Sequence, residues 1–302
     1  MSDIRTIKRR IKSIKNTKQI TKAMELVSAA KMRKAQSQVL ASRPYVRSLQ
    51  QTLTNLATLI QSSGGNVSHS LLEQREIKKS YIIAFGPDKG LCGSLPINIV
   101  KTYAKQIQSF STREAYNVLT VGKKIVDFSV RTNLPILADF VKIKDNPEFL
   151  DIAPLSKIIL DDYASGKVDE VKLVYSQFVS TLTQQAIVKK ILPISREELF
   201  LEDIDSDLVQ QEKVSQTKDY IFEPNPESIF ALLLPYFVEM TIYQSLLESK
   251  ASEHSARMVA MKSATDKAGE VIFDLTLSYN TARQSAITRE VAEISAGANA
   301  LQ

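Results

Sequence analysis

Ten positions near the C-terminus, His254, Met258, Met261, Thr265, Ala268, Ile272, Leu275, Tyr279, Ala282 and Ala286, alternate spacings of four and three without a break. Gly269 is the only helix breaker among them. A 3.5-residue repeat held over more than four heptads predicts a left-handed coiled coil, and such a helix needs a second helix along its seam.

The N-terminus offers that partner. Residues 3–43 read as one helix in which Ile4, Ile7, Ile11 and Ile14 follow heptad spacing. The stripe is expected to slip around residues 16–19 and to resume as Ile20, Met24 and Val27. Pro44 should interrupt the helix. Beyond it Leu49, Leu53, Leu56 and Ile60 take up the same spacing, and the loop SSGGN closes the segment.

Between these segments the pattern changes. SYIIAF (80–85) and NVLTVG (117–122) read as buried strands, each followed by a helical stretch. Residues 154–166 read as a helix, and 168–179 and 184–194 as two further strands. Strands alternating with helices predict an α/β layer with a mainly parallel sheet. The run at 197–212 holds seven acids and no base and reads as a solvated surface loop. The expected organisation is an N-terminal coiled-coil helix (1–62), a central Rossmann-like α/β domain (75–212) and a C-terminal coiled-coil helix (223–302). At ~1.5 Å per residue the C-terminal helix is about 100 Å long and the N-terminal one about 60 Å. A domain of this size has a radius of gyration of about 14 Å. The two helices should therefore pair antiparallel as a stalk on a globular head, with Pro235 kinking an early turn of the second.

Composition excludes several functions. One cysteine, Cys92, forms no internal disulfide, and with His69 and His254 it makes no metal cluster. IFALLLPYFVEM (229–240), the longest apolar patch, is too short to span a bilayer and contains Pro235. The loop GPDKGLCGS (86–94) fits neither Walker A nor the dinucleotide fingerprint. It reads as a tight strand-to-helix turn, with a nucleotide-using α/β enzyme as the alternative. His254 lies on the seam and reads as a packed or partner-facing residue. The charge of +6 is unevenly placed, with eleven Lys or Arg between Arg5 and Lys34 against Asp3 and Glu25 in the first 34 residues. Such an end expects an acidic partner; nucleic acid or anionic membrane is the alternative reading. With no aromatic before Tyr45 and one face occupied by the seam, a protein partner is favoured.

KRRIKSIKNTKQITKAMELVSAAKMRKAQ (8–36) and ARMVAMKSATDKAGEVIFDLTLSYNTARQSAITREVAEISAGANAL (256–301) closely resemble the terminal signatures of the gamma subunit of bacterial-type F-type ATP synthases. DKGLCGSLPINI (88–99) and VKLVYSQFVSTLTQ (171–184) resemble that family's central domain. The resemblance spans the chain. It implies a non-catalytic central rotary stalk without a cofactor, which couples ion flow through the membrane c-ring to ATP chemistry on the beta subunits. The implied partners are three alpha and three beta subunits, the epsilon subunit and the c-ring, with no nucleic acid and no direct lipid insertion. The implied location is the cytoplasmic face of the cell inner membrane, as a peripheral protein. The resemblance also assigns residues. Lys22, Met24, Arg257, Arg283, Gln284, Thr288 and Glu290 would face the alpha–beta ring or serve coupling. Tyr220 and Glu223, in DYIFEP, would form the foot on the c-ring. Met24 could equally be seam packing and the foot ordinary loop. The lone Cys92 excludes the thiol-regulated chloroplast type.

Overall fold

The structure is a computed structural model and describes residues 2–62, 69–195, 223 and 225–300, without the side chains of 2, 3 and 297–300. The acidic run at 197–212 lies outside the described residues. The chain forms two compact units, one of residues 1–30 with 257–302 and one of residues 31–256.

Two long helices contribute to both: α1 (Ser2–Ser62) and α5 (Pro226–Ala300). In the first unit the seam of α5 appears as expected, since no seam position from 258 to 286 is exposed while most of its neighbours are. On α1 the expectation needs correcting. Ile20 is 61% exposed and Val27 54% exposed, so neither lies on the seam. Ile4, Ile7, Ile11, Ile14, Lys18, Thr21, Glu25 and Ser28 are covered in an unbroken three–four alternation, with Met24 and Ala29 half-buried beside it. The stripe does not slip; it turns polar. The apolar stripe stops at Lys18, where the facing Gly269 leaves room for the lysine.

The second unit is built on a five-stranded sheet of order β3-β2-β1-β4-β5. Its strands are β1 (Ser80–Phe85), β2 (Tyr116–Val121), β3 (Ile136–Phe140), β4 (Glu170–Phe178) and β5 (Gln184–Leu192). The first four run parallel and β5 returns antiparallel from β4. The crossover helices are α2 (Leu95–Gln108), α3 (Lys123–Arg131) and α4 (Ala153–Ala164). The sequence reading contained no β3. Five residues of alternating half-burial, ILADF, give a weak signal beside the fully buried β1.

Alternation along the strands separates two cores. Tyr81, Ile83 and Phe85 join Leu119, Val121, Val171 and Leu173 on one face, covered by Leu49, Leu53, Leu56 and Ile60 of α1, by α4 and by 230–246 of α5. Ile82, Ala84, Val118 and Val174 face α2 and α3. Leu53 and Leu56 are fully buried, and each contributes about 1.5–3 kcal/mol of transfer free energy. Pro44 does not break α1, which runs through it. It sits on the exposed side, while the seam continues beneath as Met32, Ala35, Val39, Ser42, Val46 and Leu49. Pro235 likewise lies inside α5. By length and composition α5 contains a window apolar enough to cross a membrane. Its residues Phe230, Leu234, Val238, Ile242 and Leu246 are spent on the sheet core instead.

Candidate functional site

In doubly wound sheets ligands bind outside the C-terminal strand ends where the strand order reverses. Here that point lies between β1 and β4. The 86–94 loop leaves β1 there, and Gly86, Asp88 and Cys92 are committed internally. Gly86 donates its amide to Val121 O at 2.8 Å. The Asp88 carboxylate accepts the Lys123 amide at 2.9 Å, which caps the N-terminus of α3 with a negative charge where a phosphate would otherwise sit. Cys92 is buried in the same core as Val174 and Ala256. Across the end of β4, Ser252 of α5 donates to Ser176 O at 2.9 Å and Ser255 to Thr181 O at 2.8 Å. The helix α5 is thus bonded across the C-terminal end of β4.

The remaining sites lie along the helices. In the first unit Thr21 and Thr265 meet hydroxyl to hydroxyl at 2.8 Å. Lys18 Nζ lies 3.0 Å from where a Cβ on Gly269 would stand, so the missing side chain makes room for the lysine. Positions rising along α1 thus pair with positions falling along α5, and the two helices are antiparallel. The register has a second consequence. Pairs 18/269 and 21/265 place residues beyond about 285 of α5 past the first residues of α1. Residues 287–296 are accordingly all exposed, with Ile287, Val291 and Ile294 uncovered at four–three spacing. Phe273 and Leu277 form another exposed apolar pair off the seam.

The residues assigned by resemblance do not converge. Lys22 is exposed and pairs with Glu25 at 3.0 Å, and Met24 is half-buried beside the seam. By the same register Met24 lies opposite residues near 262, roughly 30 Å along the axis from Arg283. Arg283, Gln284, Thr288 and Glu290 are exposed on the last turns of α5. Arg257 is 7% exposed and therefore an interior residue of the free chain. Glu223 is exposed, and Tyr220 lies outside the described residues. Sequence reasoning missed Phe273, Leu277, Ile287, Val291 and Ile294. Their signal was present as apolar residues displaced from the heptad seam.

The fold therefore combines a helix pair with a partly polar seam and a mainly parallel sheet whose β4 end is bonded to α5. The ATP synthase family model matches residues 3–301. The ATP synthase gamma chain of Dehalococcoides mccartyi strain CBDB1 is 43% identical, covering 100% of both chains. That of Roseiflexus castenholzii is 44% identical over 100% of this chain and 99% of its own. Among solved structures, the Tetrahymena thermophila mitochondrial ATP synthase central stalk/c-ring contains a chain 26% identical, with TM-score 0.59 over 81% of this chain and 99% of that one. A chain of the Euglena gracilis mitochondrial enzyme, 16% identical at TM-score 0.63 over 99% of this chain and 95% of that one, shares the fold. The chain belongs to the gamma-chain family of ATP synthases. It is a non-catalytic, central-stalk subunit of that complex.

Proposed function

We propose that this subunit is the rotating shaft that couples ion flow through a membrane c-ring to ATP synthesis or hydrolysis on three beta subunits alternating with three alpha subunits. The observation that carries this reading is the uncovered end of α5. Ile287, Val291 and Ile294 are 51%, 60% and 67% exposed on a helix that has outrun its partner. A lone helix with an apolar stripe needs an apolar sleeve. The exposed bases of α1, Lys22 among them, supply the complement for acidic loops of beta. An asymmetric shaft presents a different face to each of three equivalent subunits, and differential contact is what holds their sites in different states. Met24, Arg257, Arg283, Gln284, Thr288 and Glu290 serve this coupling, with Arg257 acting from inside the helix pair. Tyr220 and Glu223 form the foot on the c-ring beside the epsilon subunit, on the cytoplasmic face of the inner membrane.

The test is to alter Met24 and residues 287–302 together in the assembled, membrane-reconstituted complex. The expected outcome is co-purification with alpha and beta and loss of ATP-driven ion pumping. Unchanged pumping overturns the reading.

A further inference from the structure

The segment 143–149, between β3 and α4, holds both long helices of its unit. Asp145 is its polar centre. One carboxylate oxygen lies 2.6 Å from Lys31 Nζ of α1 and the other 3.8 Å from His254 Nε2 of α5. Just before His254, Lys250 and Glu253 are paired at 3.7 Å with both side chains 7% exposed. Burial raises the Asp145 pKa, but the Lys31 hydrogen bond and the charges of Lys31, His254 and Lys250 more than offset it, leaving the carboxyl below its ordinary value. Further along, Tyr243 of α5 donates to Pro147 O at 3.0 Å. The Phe149 ring lies 5.6 Å from Tyr236 and 5.8 Å from Tyr243, and Tyr236 packs edge-on against Tyr45 of α1 at 6.1 Å. Ile143 packs on the main core.

Residues 145, 147 and 149 thus reach 254, 243 and 236 in turn, so their side chains and backbone contact α5 at points spread over roughly 27 Å of helix. The contacts on 31 and 250–254 fall at the last residues of each helix that belong to this unit. Apolar side chains at 250 and 253 would bury at lower desolvation cost. Charges there fix orientation instead, because they are favourable only in one geometry. Asp145 supplies an acid from a third element to cations of both helices.

We propose that Asp145 is a positioning residue for rotary coupling. Through it the strap grips α1 and α5 together, so that the sheet and the helices crossing this unit turn as one body under load. This rests on the rotary-shaft reading above, and the test separates the two. Asp145→Asn and Asp145→Glu are introduced into the complete ATP synthase, which is reconstituted in phospholipid vesicles for paired measurement of ATP hydrolysis and ATP-driven pumping. The Asn variant assembles and hydrolyses ATP within about twofold of the parent, while ions moved per ATP against a large opposing gradient fall about two- to fivefold. The Glu variant restores most of that ratio, which a general packing defect would not allow. An unchanged ratio in the Asn variant overturns the proposal. Should that variant not assemble, hydrogen exchange on the free full-length chain decides. The amides of Glu148 and Asp151, bonded to Asp151 Oδ2 and Glu148 O at the end of the strap, should then exchange about fivefold faster than in the parent, and equal rates overturn the clamp. A parent chain that assembles but drives no pumping refutes the shaft reading, and the exchange measurement still decides the clamp.

Discussion

Thr21 and Thr265, 244 residues apart in the chain, share a hydrogen bond of 2.8 Å inside the helix pair of the first unit. Each hydroxyl also has a backbone acceptor within its own helix, Lys18 O for Thr21 at 3.1 Å and Met261 O for Thr265 at 2.8 Å. With one proton apiece, only one of the two bonds the backbone when the other bonds across. The pair is satisfied in either arrangement, which lets a seam position carry a polar residue without an orphaned donor.

Removing one hydroxyl and removing both should therefore differ. Thr265→Val deletes the cross-helix bond at a site 6% exposed and is expected to cost about 1 kcal/mol. Thr21→Val with Thr265→Val replaces both partners by apolar groups of the same shape and should be close to neutral. Denaturant midpoints of the parent, both single variants and the double variant measure the coupling. Additive losses would show that the two hydroxyls do not act as a pair.

This pair also explains what was legible in the sequence. The seam of α5 could be read residue by residue because its members are mostly apolar or small. The seam of α1 keeps the same period, but from Lys18 to Ser28 its members are Lys, Thr, Glu and Ser, so apolar periodicity alone slips there onto Ile20 and Val27. Only the facing residues, Gly269 and Thr265, reveal why Lys18 and Thr21 belong there. The α/β alternation was legible from β1, β2 and β4, whereas β3 was too short and too weakly buried. Asp145 could not be found from sequence, since its partner Lys31 is 114 residues away and only the topology brings them together. The end of α5 was legible as helix but not as uncovered, because coverage depends on where the antiparallel register ends.

Gly269 gives a prediction of the opposite sign from most core substitutions. Gly269→Ala places a Cβ 3.0 Å from Lys18 Nζ, the far end of a flexible side chain that can swing toward solvent. The helix gains about 0.8–1 kcal/mol of propensity. A small rise in thermal midpoint is expected. Gly269→Leu would drive Lys18 off the seam altogether and should lower it.

Gly122 tolerates no such change. Its φ is +95°, and an added Cβ would lie within 1.9 Å of Gly86 O. Neither backbone can move freely, since Gly86 N is bonded to Val121 O and Gly122 N to Phe140 O, each at 2.8 Å. Gly122→Ala is expected to destabilise by about 3–5 kcal/mol and to reduce soluble yield. Gly90→Ala, in the same region with open space around the added atom, should stay within about 0.5 kcal/mol of the parent. Midpoints for the two variants, measured side by side, check both statements.

Alkaline pH should unfold this protein through its buried phenols. Burial, and next the hydrogen bond to Asp162, push Tyr81 from 10.0 up to about 12. Tyr163 is raised to about 12 chiefly by burial, with the Arg75 charge opposing and Asp169 and Glu73 adding to the rise. In the unfolded chain both titrate near 10, so above that pH the unfolded state loses protons that the native state still holds. The stability these residues contribute is complete below pH 10 and erodes as pH rises from there through about 12. Urea midpoints should be flat between about pH 8 and 9.5 and fall progressively above 10. Tyr81→Phe removes one titrating group together with its bond to Asp162, at 2.9 Å, so it should lower the midpoint at neutral pH yet flatten the alkaline decline. An alkaline slope unchanged in Tyr81→Phe and in Tyr163→Phe would place the proton release on other groups.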